Sequence, residues 1–280
     1  MTATTIVLVH GAWHGAWCWQ PVIPELLKLG LAPFTVDLPA HGLKACFPQG
    51  FGSDPQRLAS APSPHAGITL DDYADAVLEV VDAAIAAGSG PVLLVGHSMA
   101  GIALTAVAER APEKIARLVY LAAFMPMPGV PMIDYVRCAD NAGEEVAGLF
   151  VAPPPAIGAM RIDYRSPDPA YQARIRSAFC HDVDDQAYAA MKHLLTPDVP
   201  AAPVAASTVA THARWGRVPR AYLRCSEDRA VMPALQDRFI READAFTPGN
   251  RTEVLTLAAS HSPFVSMPGE LARALAQLAG

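Results

Sequence analysis

Hydrophobic positions along the chain fall into short unbroken runs, separated by longer stretches in which apolar and polar residues recur at helical spacing. The first run is Ile6-Val7-Leu8-Val9. A uniformly apolar run of this length predicts a strand buried on both faces. Five more follow, at Phe34 to Asp37, Pro91 to Val95, Leu118 to Ala123, Val218 to Cys225 and Thr252 to Leu257. Helical patterns lie between them, over Pro21 to Leu29 with Gly30 as the stop, from Thr69 to Gly88, and over Ile102 to Glu109. A last one covers Pro268 to Leu278. Thr69 and Asp72 form a capping-box-like start, with Asp shorter than the usual Glu. This alternation predicts an α/β fold, a mostly parallel sheet of about six strands flanked by helices.

Two segments break the rhythm. Residues 44 to 67 are irregular and rich in Pro, Gly and Ser, which predicts a long surface excursion. Between the fourth and fifth strands, from Phe124 to Arg217, about ninety residues show no strand rhythm, and a stretch that long inside a compact domain is normally functional. It contains Pro153-Pro154-Pro155 and helical pieces at Tyr171 to Phe179 and Asp185 to Leu195. The expected organisation is a core of residues 1–124 and 217–280 with a mostly helical cap, residues 125–216, inserted after the fourth strand.

Composition narrows the function classes. Hydrophobic residues make up 52% of the chain and charged residues 17%, so a large core can form. A net charge of −6 gives no footprint for nucleic acid or an anionic membrane. Five cysteines, an odd number without CxxC spacing, point away from a disulfide framework and toward reduced thiols. The opening apolar run is too short for a signal peptide, and no run reaches the eighteen or so residues of a membrane span. The expectation is a soluble cytoplasmic protein acting on a small molecule, with a homodimer left open.

The candidate chemistry centres on Gly96-His97-Ser98-Met99-Ala100-Gly101, which follows a predicted strand and precedes a predicted helix. Lifting a serine hydroxyl onto a sharp strand-to-helix turn requires small neighbours, and Gly96 and Ala100 supply them. Ala stands where the commonest form of this motif has Gly. A serine nucleophile needs a base, and the base needs a group that fixes its tautomer. In a sheet enzyme of this kind the acid and then the histidine follow the serine in chain order. Of nine histidines, only His261 stands just past the last strand. The fifth strand ends at Glu227-Asp228; Asp228 is the preferred acid and Glu227 the alternative.

The segment His10-Gly11-Ala12-Trp13-His14-Gly15-Ala16-Trp17-Cys18-Trp19 resembles the signature loop of the plant methylesterase and hydroxynitrile lyase family of α/β hydrolases. Bacterial carboxylesterases, including pyrethroid-hydrolysing ones, are similar. Gly96 to Gly101, Leu118 to Pro126, Asp228 to Pro233 and His261 to Pro268 extend the resemblance over most of the core, and it fades in the cap. It implies the α/β-hydrolase fold, a Ser98-His261-Asp228 triad, no cofactor or metal, and a cap lining an apolar pocket. It favours Asp228 over Glu227, because the family's acid lies five residues before a proline, as Asp228 does before Pro233. It places the oxyanion hole at the backbone N–H groups of Ala12 and Met99, which agrees with one donor after the nucleophile and one after the first strand. Trp13, His14, Phe124 and Met125 are the candidate pocket residues. The family's lyases carry threonine where this chain has Gly11 and lysine where it has Ser262, so the resemblance implies ester hydrolysis.

The expected activity is therefore hydrolysis of a hydrophobic carboxylic ester through an acyl-enzyme. The rivals are a lyase or C–C hydrolase on the same fold, and a non-catalytic receptor that reuses the pocket. His10 and His14 have a ligand spacing that matters on a helix, but they sit in a loop, so hydrogen bonding within the loop is the better reading. His97 is read as a packing residue of the turn, and Cys225 as a small buried apolar residue.

Overall fold

The computed structural model describes residues 4–88 and 90–280. The strands are β1 Thr4–Val9, β2 Leu31–Val36, β3 Val92–His97, β4 Ile115–Leu121, β5 Ala159–Arg161, β6 Asp198–Pro200, β7 Arg220–Cys225 and β8 Glu253–Leu257. The helices are α1 Ile23–Lys28, α2 Pro55–Ser60, α3 Leu70–Ala87, α4 Ala100–Arg110, α5 Met132–Val136, α6 Pro154–Ile157, α7 Pro169–Cys180, α8 Asp185–Met191, α9 Ala201–Ala205, α10 Pro233–Phe246, α11 Pro263–Ser266 and α12 Pro268–Ala279. Six strands form one sheet in the order β2-β1-β3-β4-β7-β8. Every pairing in it is parallel. This is the α/β-hydrolase arrangement, with helices on both faces.

The uniform apolar runs are explained by the two sides of this sheet. Alternate residues of a strand point to opposite faces. Val7, Val9, Leu94, Leu118 and Tyr120 pack on one side with α3, α4 and α10. Ile6, Leu8, Leu93, Val95 and Val119 pack on the other with Leu26 of α1 and Leu271 of α12. Both faces are covered, so both must be apolar. At the edge, β8 is more open, and Val254 is exposed.

The capping box of α3 forms in full despite the short acid. Thr69 Oγ1 accepts from the Asp72 amide at 3.2 Å, and the Asp72 carboxylate accepts from the Thr69 amide at 2.7 Å. The 44–67 excursion is more ordered than its composition predicts, because Asp54 caps α2 through the amides of Gln56 and Arg57.

Between β4 and β7 the chain forms helices α5 to α9 together with an antiparallel ribbon of β5 and β6. Three residues per strand are too few for alternation to register in the sequence, so the residue pattern does not predict this ribbon. Arg161 and Asp198 lock it from within, as a buried pair at 2.5 and 2.7 Å. Among the described residues, no helix is long and apolar enough to cross a membrane.

Candidate active site

Ser98 lies between β3 and α4 with φ of +55°, the left-handed conformation that such a turn imposes on its central residue. Its amide donates to Leu121 O at 3.1 Å, and its carbonyl accepts from Phe124 at 3.0 Å and Gly101 at 3.2 Å. The turn is thus fixed to the end of β4. The strictest steric demand falls on Gly101 rather than position 100, because a Cβ at Gly101 would lie 1.9 Å from Phe124 O. Ala100 is therefore tolerated where the commoner motif has glycine.

His261 follows β8 and Asp228 follows β7, the two loops leaving the same end of the sheet. His261 Nδ1 and Asp228 Oδ2 are 2.7 Å apart, with both side chains buried. The second oxygen of Asp228 accepts from the amides of Ala230 at 2.8 Å and Val231 at 2.9 Å. The carboxylate is thus saturated on one side and directed at the imidazole on the other. Glu227 is exposed, and its backbone alone is engaged, the carbonyl accepting from His181 Nε2 at 2.9 Å. Of the two adjacent acids, the structure brings Asp228 to His261.

His97, next to the serine, has a distinct task. Its Nε2 donates to the His261 carbonyl at 2.8 Å. Burial, reinforced by the neighbouring His261, holds its pKa well below the ordinary value, so the ring stays neutral and keeps that tautomer.

Ser98, His261, Ala12, Trp13 and Phe124 line one narrow cavity of about 40 Å³ with Met132, Phe150 and Met160 from the segment above. Among the described residues, neither the Ala12 amide nor the Met99 amide has an accepting partner. Trp13, also at positive φ, is held by its indole N–H on Met160 O at 3.2 Å and by Thr196 donating to its carbonyl at 2.9 Å.

Two of the expected pocket residues do not line the cavity. His14 turns back, donating from Nδ1 to Ala12 O at 2.7 Å and stacking on Trp17. Burial lowers its pKa to about 4. Met125 is fully buried in the hydrophobic core and is not among the residues that line the cavity. Sequence reasoning missed Val146 and Phe179, which reach the cavity from segments without a motif, and Val231, which lies within the Asp228 to Pro233 stretch that marks the acid. It also missed Glu144, whose carboxylate accepts from the Val146 amide at 2.7 Å and so shapes that wall. His10 is occupied by backbone, Nδ1 donating to Gly11 O and Nε2 accepting from the Leu38 amide. Among the described residues, no three His, Cys, Asp or Glu side chains cluster as a metal site would require. Cys225 is fully buried, and burial pushes its thiol pKa up.

Residues 6–274 match the model of the alpha/beta hydrolase family, and the chain belongs to that family. Within it, the chain is an esterase-type hydrolase. Methylesterase 7 of Arabidopsis thaliana is 29% identical over 98% of this chain and 95% of its own length. A pyrethroid hydrolase of Sphingobium wenxiniae is 26% identical over the whole of this chain and 89% of its own length. A crystal structure of a pyrethroid hydrolase, 25% identical, superposes with a TM-score of 0.77 over 99% of this chain and 98% of that one.

Proposed function

We propose that the chain is a serine carboxylesterase that cleaves a hydrophobic ester through an acyl-enzyme. The observation that carries this reading is that His261, paired with the buried Asp228, lines one largely apolar cavity together with Ser98. Asp228 fixes the tautomer of His261 with the proton on Nδ1, which leaves Nε2 as the base. His261 takes the Ser98 proton as Oγ attacks the ester carbonyl carbon. The resulting oxyanion accepts from the amides of Ala12 and Met99, donors of a kind worth roughly 3 to 4 kcal/mol each. Collapse breaks the bond to the alcohol, which leaves with the proton from His261. Water then gives its proton to the same imidazole and releases the acid, restoring Ser98. The names of the relatives, methylesterase and pyrethroid hydrolase, support an ester substrate.

Two positions support hydrolysis over cyanohydrin cleavage. Position 11 is glycine and position 262 is serine, so the threonine and lysine of the resembling lyases are both absent.

The test is turnover of p-nitrophenyl esters by wild type and Ser98→Ala. A burst of nitrophenol followed by steady turnover, lost by several orders of magnitude in the variant, is the expected result. A folded wild type that turns over no ester would overturn the reading.

A further inference from the structure

The cavity that contains Ser98 and His261 is small. At about 40 Å³ it is far below the size of an ordinary small-molecule site. An ester with a substantial hydrophobic portion does not fit there, although the lining is almost wholly apolar. A second cavity of about 340 Å³ lies beside it, bounded by Ile133 and Arg137 near α5, Pro154 and Pro155 of α6, and Val204 of α9. That volume is within the range of ordinary small-molecule sites. One residue, Met160 of β5, lines both cavities.

Met160 is suited to be a movable partition. Its backbone is pinned, since β5 pairs with β6 and the Met160 carbonyl accepts from the Trp13 indole. The side chain is unbranched with three rotatable bonds, so it can change shape while the strand stays in place. Trp13, by contrast, is fixed at both its backbone and its ring nitrogen.

Resting on the esterase reading, we infer that the 340 Å³ cavity is the second compartment of the substrate site. It receives the apolar tail of the ester, and Met160 sets which tail lengths pass. The reacting carbonyl stays at Ser98 while the tail extends past Met160 between α5, α6 and α9. The substrate class is thus esters with a long or bulky apolar acid or alcohol portion.

The experiment measures kcat/KM over two series, p-nitrophenyl esters of increasing acyl length and acetates of increasing alcohol length. The readout is the ratio of the long to the short member. Met160→Ala removes the partition, and the ratio should rise about tenfold or more in one series. Ala202→Trp fills the far cavity from an exposed position where the larger side chain need not disturb the core, and the ratio should fall by a similar factor in the same series. The responding series identifies which portion of the ester enters. Ratios within about twofold of wild type in both variants and both series would overturn the inference. In that event, continued turnover of the short esters by wild type would leave the esterase reading standing, whereas wild type without any turnover would remove that reading itself.

Discussion

Ser260 donates twice to the carboxylate of Asp182, from its amide to Oδ2 at 2.9 Å and from its hydroxyl to Oδ1. Ser260 immediately precedes His261, while Asp182 sits in the turn between α7 and α8. The neighbouring His181 bonds the carbonyl of Glu227, one residue before Asp228. One turn of the inserted segment therefore grips both loops that present the base and the acid. Asp182 touches no reacting atom in this arrangement; it is a positioning residue.

Asp182→Ala should lower kcat by about 10- to 100-fold, the scale of a misplacement of about 1 Å, and leave KM little changed. Asp182→Asn keeps one acceptor for Ser260 and should recover part of the loss. Steady-state kinetics with both variants decides this, and wild-type kcat in Asp182→Ala would end the positioning role.

This contact marks where sequence reasoning stops. Ser98 and His261 are legible because each stands at a strand end in an order the fold dictates, with small residues enforcing the turn. Asp228 and Glu227 are adjacent, and residues alone leave both open; burial and two loop amides distinguish them. Asp182 carries no motif, since its task depends on the inserted segment folding back across 78 positions of chain. The pocket shows the same division. Trp13 and Phe124 lie beside motifs and reach the cavity, while His14 and Met125, equally close in sequence, do not, His14 being held on the Ala12 carbonyl and Met125 buried in the core.

Gly11 and His97 are matched by contact. A Cβ at position 11 would stand 2.7 Å from His97 Nδ1 and 2.8 Å from the Ser98 Cβ. Gly11→Thr, the lyase-like residue, should therefore disturb both the nucleophile and the ring that bonds the His261 carbonyl. Loss of ester turnover of about 100-fold or more is expected from displacement on this scale. Lyase activity should not appear in its place. Adding His97→Ala relieves one of the two collisions but removes the hydrogen bond to the His261 carbonyl and leaves the collision with Ser98, so it should not restore the activity of Gly11→Ala. Equal activity of Gly11→Thr and wild type on the same esters would show that the site has room the geometry denies.

Acid should destabilise the fold through its buried histidines. Burial lowers His14 and His41 from 6.5 to about 4. Each donates from Nδ1 to a backbone carbonyl and leaves Nε2 buried without a partner. His14 faces His97, and His41 faces His10, so each ring packs against another imidazole. Asp37 draws the His41 pKa upward, but burial outweighs it. In the unfolded chain both take a proton near pH 6.5, and in the folded chain only near pH 4. Below 6.5 the unfolded state therefore binds more protons and gains. The stabilising contribution is full above about pH 6.5 and drains as pH falls toward about 4, by about 4 kcal/mol for the pair between roughly pH 7.5 and 5. His10 and His97 are held well below the ordinary value by burial as well and add to the same slope. Urea unfolding across that range checks this, and His41→Gln should remove about a quarter of the slope. Stability that stays flat from about pH 7.5 to 5 in wild type would contradict the prediction.

The Arg161–Asp198 pair supports a further prediction about stability, and here the surrounding hydrogen bonds decide the outcome. Both side chains are essentially without solvent contact. Arg161 gives Nε and Nη2 to the two oxygens of Asp198, and Nη1 to the carbonyls of Leu58 at 2.5 Å and Ala61 at 2.8 Å. Four of its five donors are thereby used, and the pair ties the β5–β6 ribbon to the end of α2. Asp198→Leu removes the carboxylate and strands a guanidinium in the interior, which should cost about 3 to 5 kcal/mol. Adding Arg161→Met removes the stranded charge and should recover part of that loss. It cannot recover all of it, because the carbonyls of Leu58 and Ala61 then lose their donor in a site closed to water. The expected order of urea midpoints is wild type, then the double variant, then Asp198→Leu. A loss below about 1 kcal/mol in Asp198→Leu would mean that water reaches the guanidinium and that the ribbon is more open than the packing indicates.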